Sequence, residues 1–206
     1  KMIDTSKKFL VAGAGKSGIG SVNLLLKTGA DVSLYDGNEE LDKEALFEKL
    51  YEKKEISLVL GNITKEDIEK YDLLVLSPGI SVNAPIAQMF YDQEKPVWSE
   101  IELAYQASKG KIAAITGTNG KTTTTALTGE IMKGYYESSF VVGNIGIPYT
   151  SVALDTQENS VITAEISSFQ LETIVDFKPD VCAVLNITPD HLDRHGTVEV
   201  YAKTKE

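Results

Sequence analysis

Apolar positions come along this chain in short runs, set apart by longer stretches of mixed polarity. The runs at 8–13, 31–35, 57–60, 72–76 and 96–98 read as strands. Between them, 17–28, 41–53, 64–70 and 99–106 have helical character. The 41–53 stretch is heavily charged and is expected to present a solvated amphipathic face. Thr64, with Asp67 three positions on, has capping-box form, and Ser99 is placed to cap the helix after it. Strands separated by helices predict a parallel sheet covered by helices.

The pattern restarts after residue 110. Strands are predicted at 112–115, 139–142, 160–166 and 181–185, with helices over 122–133 and from about 198. Ser108-Lys-Gly110 reads as a hinge, which places a boundary near residue 108. The fold class is therefore α/β: a Rossmann-like parallel-sheet domain over 1–108, then a P-loop ATPase-type α/β domain over 109–206.

The most informative stretch opens that second domain. The apolar run 112–115 breaks at Gly117 and Gly120 and restarts as a helix after Lys121. A strand, a glycine loop and a helix form a phosphate cradle, because the first helical N–H groups lack partners and the helix dipole favours an anion there. Lys121 would reach the β/γ-phosphates and the Thr122 hydroxyl would hold Mg²⁺. The usual P-loop has another glycine where Ile115 stands, so this loop is shorter. An ordinary glycine turn before a capped helix is the plainer alternative.

In the first domain, Gly13-Ala-Gly-Lys-Ser-Gly18 follows a strand and opens a helix, and Asp36 lies about twenty positions on. That is the form of a dinucleotide fingerprint, with Asp36 placed to accept from a ribose hydroxyl or a base N–H. Alone it is a weak signal, since glycines in such a unit can serve packing only. Ser77-Pro-Gly-Ile-Ser81 follows another strand. It fits a ligand-binding turn at the carboxyl end of a sheet or a plain type II turn equally well.

Composition narrows the picture. Of 206 residues, 42% are hydrophobic and 24% charged, as in ordinary globular chains. No apolar run approaches a membrane span and no secretion leader is recognisable, so a cytoplasmic protein is expected. Cys182 is the single cysteine, which leaves no intramolecular disulfide. Net charge is −10, with −5 in residues 1–110 and −5 in residues 111–206. Neither has the basic field of a non-specific nucleic-acid binder. An anionic nucleotide would have to be held by helix N-termini, Lys121 and a metal.

Thr116, Glu165 and Asn186 are predicted at the carboxyl ends of three strands on one sheet edge. An acidic residue beside a P-loop is the usual Mg²⁺ partner, which gives Glu165 weight it would lack alone. His191 and His195 are the only histidines, and without a third soft ligand they make a poor zinc site. Arg194 is the only arginine among nineteen lysines, which suggests a planar, bidentate role.

Four segments carry a family resemblance: Thr116-Gly-Thr-Asn-Gly-Lys-Thr-Thr, Gly143-Asn-Ile-Gly, Glu165-Ile-Ser-Ser-Phe-Gln-Leu-Glu and Asn186-Ile-Thr-Pro-Asp-His-Leu-Asp-Arg-His-Gly. In order and spacing they resemble the Mur ligases, ATP-dependent amide-forming enzymes of peptidoglycan precursor synthesis. The first domain, with its Gly13 loop and Ser77-Pro-Gly-Ile, is similar to that of the alanine- and D-glutamate-adding members. Asn119 stands where the alanine-adding branch usually has His.

The resemblance implies a ligase that joins D-glutamate to UDP-N-acetylmuramoyl-L-alanine through an acyl phosphate, with ATP and Mg²⁺ as cofactors. Lys121, His191 and Lys205 would be catalytic. Gly117, Thr118, Asn119, Gly120, Lys121, Thr122 and Thr123 would bind ATP. Thr122, Glu165, His191 and Lys205 would hold metal, with Lys205 in the place of the family's carbamylated lysine. Lys16, Ser17, Asp36, Gly37, Ser77 and Gly79 would cradle the UDP part, and Asn144 and Ser167 would contact the rest of the substrate. Partners would be these small molecules only, with no nucleic acid, no membrane and a monomeric protein. Family members are roughly twice as long and have a third, amino-acid-binding domain. The second domain here is thus expected to be partial, and the 206 residues alone to bind the UDP substrate with little turnover. The competing readings are an NAD-dependent oxidoreductase, which leaves 117–122 unexplained, and a non-catalytic nucleotide-binding module.

Overall fold

A computed structural model describes residues 2–144, 147–190 and 192–205. It contains two parallel sheets. The first is built from β1 (Lys8–Ala12), β2 (Asp31–Asp36), β3 (Ser57–Leu60), β4 (Leu73–Leu76) and β5 (Val97–Ser99), in the order β3-β2-β1-β4-β5. Its helices are α1 (Lys16–Thr28), α2 (Lys43–Phe47), α3 (Lys65–Ile68), α4 (Pro85–Asp92) and α5 (Glu100–Ala107). The central strands are apolar on both faces because helices cover both: Leu10, Val11, Leu73 and Leu74 are all buried. Strand order reverses between β1 and β4. In an open parallel sheet a crevice forms there, outside the carboxyl ends. The two loops at that point are the glycine loop after β1 and the 77–80 loop after β4.

The second sheet runs β7-β8-β6-β9, from β6 (Lys111–Thr116), β7 (Ser139–Gly143), β8 (Val161–Glu165) and β9 (Val181–Val184). Its helices are α6 (Lys121–Tyr135), α7 (Tyr149–Val152), α8 (Ser168–Leu171), α9 (Leu192–His195) and α10 (Val198–Lys205). No helix among the described residues is long and apolar enough to cross a membrane.

The short helices α7, α8 and α9 had no counterpart in the sequence reading, and three larger features differ from it. The stretch 41–53 is not one solvated helix. It is the short α2, capped by Asp42 onto the Ala45 N–H, followed by a break with Glu52 and Lys53 at positive φ. Asn23 on α1 causes the break: its amide donates to Lys49 O and its carbonyl accepts from the Tyr51 N–H. Leu46 and Leu50 are buried against the sheet. Helix α4 is the second difference, since 82–95 has no sequence assignment. Pro85 at its start and the buried Ile86 and Phe90, one turn apart, were the available signal.

Third, the expected hinge at 108–110 is a bonded connection. Ser108 is buried, its hydroxyl 2.6 Å from that of Tyr149, and the Lys109 N–H donates to Thr156 Oγ1 at 2.8 Å. Gly110 (φ +84) has no room for a side chain, because a Cβ would lie 2.4 Å from Ser160 O. One apolar cluster runs through both sheets, from Val22 and Leu25 through Ile101 and Tyr149 to Ile162 and Phe177. Tyr105 and Phe177 meet edge to face at 5.3 Å across it. The buried Glu102 on α5 fastens the join: its Oε2 accepts from the N–H groups of Val175, Asp176 and Phe177.

Candidate active site

The loop between β6 and α6 has the form the glycines demand. Gly117 (φ +143) passes so close to Asn186 that a Cβ would sit 3.2 Å from its backbone. Gly120 (φ +82) is the N-cap of α6 and supplies no side chain to it, so the first-turn N–H groups face outward. Lys121 Nζ folds over the loop and donates to Gly117 O and Thr118 O, both at 2.8 Å. Thr122 and Thr123 are exposed on the first turn.

Asn186, just past β9, has a role the sequence did not reveal. Its Oδ1 accepts from the Asn119 N–H at 2.8 Å and its Nδ2 donates to Asn119 O at 2.9 Å. Its carbonyl accepts from the Thr118 N–H. The Thr118 hydroxyl donates to Thr188 O, accepts from the Thr188 N–H, and lies 3.0 Å from the Tyr201 hydroxyl. Thr118 and Asn119, expected as nucleotide ligands, thus also hold the loop to the next strand end.

Glu165 ends β8, beside Ile115 of β6 and Gly143 of β7. A Cβ at Gly143 (φ +107) would lie 2.1 Å from Glu165 O, so only glycine allows this approach. The result seats Asn144 on Glu165: its N–H donates to the Glu165 carbonyl and its Nδ2 to Oε1 at 2.8 Å. Oε2 is buried with no hydrogen-bond partner among the described residues. A buried carboxylate oxygen without a donor is costly unless a cation completes it. A hard divalent ion of the Mg²⁺ type fits that atom.

Lys205, on α10, is buried, with Nζ 3.0 Å from Thr116 Oγ1 and 5.0 Å from the Tyr201 ring centre. Burial first, and then the Lys121 charge, lower its pKa to about 8, against an opposing pull from Asp190. A cavity of about 300 Å³ brings Lys121, Asn144, Ser167 and Lys205 together with Pro78 and Gly79 of the first half. Ser167 caps α8 in a capping box with Gln170. His191 lies outside the described residues, as do Ile145 and Gly146 of the Gly-Asn-Ile-Gly segment. His195 is buried, its Nε2 2.9 Å from Ser168 Oγ.

A second cavity, about 420 Å³, joins Lys16, Ser17, Asp36, Gly37, Ser77 and Gly79 at the crevice of the first sheet. Gly18 must be glycine, since a Cβ there would fall 1.7 Å from Gly13 O. Asp36 is already engaged: Oδ2 accepts from the Ala14 N–H at 2.7 Å and Oδ1 from the Asn38 N–H at 2.9 Å. It therefore shapes the loop as well as facing the cavity. The Ser77 hydroxyl is buried, with no hydrogen-bond partner among the described residues.

Between the two lies a smaller cavity of about 120 Å³, sharing Lys16 and Ser17 with one neighbour and Asn144 with the other. Pro78 lines all three. Glu100 is buried there, with Oε1 accepting from Gln170 Nε2 at 2.8 Å and Oε2 without a hydrogen-bond partner among the described residues. Burial pushes its pKa up to about 7, partly offset by the Gln170 hydrogen bond.

Comparison with known proteins agrees with this geometry. The Mur ligase MurD-like N-terminal domain matches residues 7–99 and the Mur ligase middle domain matches residues 115–206. A UDP-N-acetylmuramoylalanine--D-glutamate ligase of Lachnospira eligens is 57% identical over 201 residues, 98% of this chain and 44% of that protein. One of Lachnoclostridium phytofermentans is 55% identical over 199 residues, again 44% of its length. The chain thus spans less than half the length of these curated relatives. Among solved structures, a UDP-N-acetylmuramate-alanine ligase of Thermotoga maritima superposes with a TM-score of 0.55 at 22% identity, over 96% of this chain and 46% of that one. At that identity it speaks for the fold.

Proposed function

The chain belongs to the Mur ligase family, and on that premise we propose that it supplies the UDP-substrate and ATP half-sites of a ligase adding D-glutamate to UDP-N-acetylmuramoyl-L-alanine. The division into 1–108 and 109–206 belongs to the same proposal. The carrying observation is the run of three adjoining cavities, with the glycine loop of the first sheet at one end and Lys121 and Lys205 at the other. A substrate with a nucleotide at one end and a carboxylate at the other suits such a track. An oxidoreductase would leave the Lys121 end without a purpose.

The N-terminus of α6 and the Lys121 ammonium would receive the ATP phosphates. The alanyl carboxylate attacks the γ-phosphorus, the bond to the β–γ bridging oxygen breaks, and ADP leaves. The D-glutamate amine then attacks the acyl carbon, loses a proton as the C–N bond forms, and expels phosphate. Asn144 would orient the carboxylate, while Ser167 and Gly79 bound its path. Thr122, Glu165, His191 and Lys205 would hold Mg²⁺, which when bound offsets the charge of these anions. The lowered pKa of Lys205 leaves much of the amine neutral near pH 8. The neutral form can add CO₂ and lose a proton to become an anionic carbamate. Alignment and charge neutralisation supply most of the acceleration in phosphoryl transfer. We further propose a monomeric, cytoplasmic protein.

The test is phosphate release by the full-length protein containing this chain, assayed with ATP, UDP-N-acetylmuramoyl-L-alanine and D-glutamate. Release should require all three. Lys121→Ala should lower it by about 1,000-fold and leave UDP-substrate binding intact by calorimetry. Loss of both together, or no dependence on D-glutamate, counts against the proposal.

A further inference from the structure

We infer that Arg194 is a positioning residue that locks the 77–80 loop of the first half onto the α8 segment of the second, and so sets the mouth between the nucleotide cavity and the Lys121–Lys205 cavity. The inference rests on the reading above for its substrate.

The guanidinium of Arg194 is largely shielded and is used on two sides. On one, Nε lies 3.2 and 3.1 Å from the two carboxylate oxygens of Glu172, and Nη2 also pairs with that carboxylate. On the other, Nη1 donates to Pro78 O at 2.7 Å and Nη2 to Ile80 O at 3.2 Å. Its carbon lies 4.0 Å from the centre of the Phe169 ring, so the plane of the fork is held as well. No lysine could make these contacts together, because they need a planar fork of donors.

Both partners border the proposed acyl path. Pro78 and Gly79 form a wall common to the nucleotide cavity and the Lys121 cavity. Phe169 and Ser168, on the segment Arg194 grips from behind, line the Lys121 cavity opposite them. The neighbouring His195 supports the grip, with Nε2 on the Ser168 hydroxyl and Nδ1 3.6 Å from Glu172. One side chain therefore spaces two walls that come from different sheets. Arg194 itself does not line the Lys121 cavity, so its effect is on the approach of the acyl substrate rather than on the ATP phosphates.

The experiment uses the full-length protein with Arg194→Lys and, separately, Glu172→Gln. Without any ligand, exchange of the Ile80 amide, which donates to Ser77 O, should quicken by about tenfold or more in each, the loss expected for charge-assisted hydrogen bonds. With substrates, KM for UDP-N-acetylmuramoyl-L-alanine should rise by a similar factor while KM for ATP stays within about twofold. Unchanged Ile80 exchange, or equal rises in both KM values, overturns the inference. Should Arg194→Lys fail to fold, Glu172→Gln carries both readouts. Should the wild-type protein show no ligase activity, the proposed function fails while the exchange result still decides whether Arg194 holds the loop.

Discussion

Asn144 donates its side-chain amide to Glu165 across 2.8 Å and engages one carboxylate oxygen, leaving the other buried without a hydrogen-bond partner among the described residues. The pair is oriented by backbone, since the Asn144 N–H also donates to the Glu165 carbonyl. What remains is one buried carboxyl oxygen at the end of β8, whose neighbour β6 leads into the glycine loop at 117–120.

Glu165→Gln should therefore leave the fold intact and remove the charge a divalent ion needs. Mg²⁺-dependent ATP binding should weaken by about tenfold or more and turnover by about 100-fold. Calorimetric titration of the full-length variant with Mg²⁺-ATP checks this, and unaltered affinity would remove Glu165 from the metal set.

Lys205→Ala should reduce turnover by about 100-fold or more, because it deletes the group proposed to carry a carbamate. Added formate or acetate should restore part of the rate by placing a free carboxylate in the same space. Absence of any rescue across a concentration series would count against an anion at that position.

Glu100 makes stability depend on pH. Its pKa in the folded protein, about 7, lies above the ordinary carboxyl value of 4.5. The native state therefore binds the proton more tightly, so this group's contribution falls as pH rises from 4.5 towards 7 and stays reduced above. The full shift corresponds to about 3 kcal/mol. Lys16 lines the same cavity and is the cationic side chain among its lining residues. Glu100→Gln should flatten the fall in Tm between pH 5 and pH 8. A wild-type Tm that does not fall over that range, or an unaltered slope in the variant, would contradict the assignment.

Glu102→Ala should destabilise the protein by about 3 kcal/mol, since the buried Phe177 N–H and the half-buried N–H groups of Val175 and Asp176 lose their shared acceptor. Thermal unfolding should show a Tm lower by about 10 °C. Glu102→Gln, which keeps an acceptor, should fall between the two.

Much of this architecture was legible as a string of letters. Apolar or alternating runs marked the nine strands among the described residues, and the central β1 and β4 are almost wholly apolar because both their faces are covered. The Gly117–Lys121 loop and the Thr64 and Ser99 caps could be placed because they depend on residues a few positions apart. Capping and glycine conformation are local chemistry, and local chemistry is written in order.

Other features came into being with the packing. Asn23 ties down the turn after α2 from 26 positions away, Asn186 holds the glycine loop after β6 from 67, and Arg194 reaches Pro78 across 116. No periodicity or spacing rule encodes such pairs. They arise between side chains and backbone groups that lie far apart in the chain and come within reach of one another only when it has folded. The folded chain leaves one oxygen of Glu165 without a hydrogen-bond partner among the described residues and brings three cavities side by side.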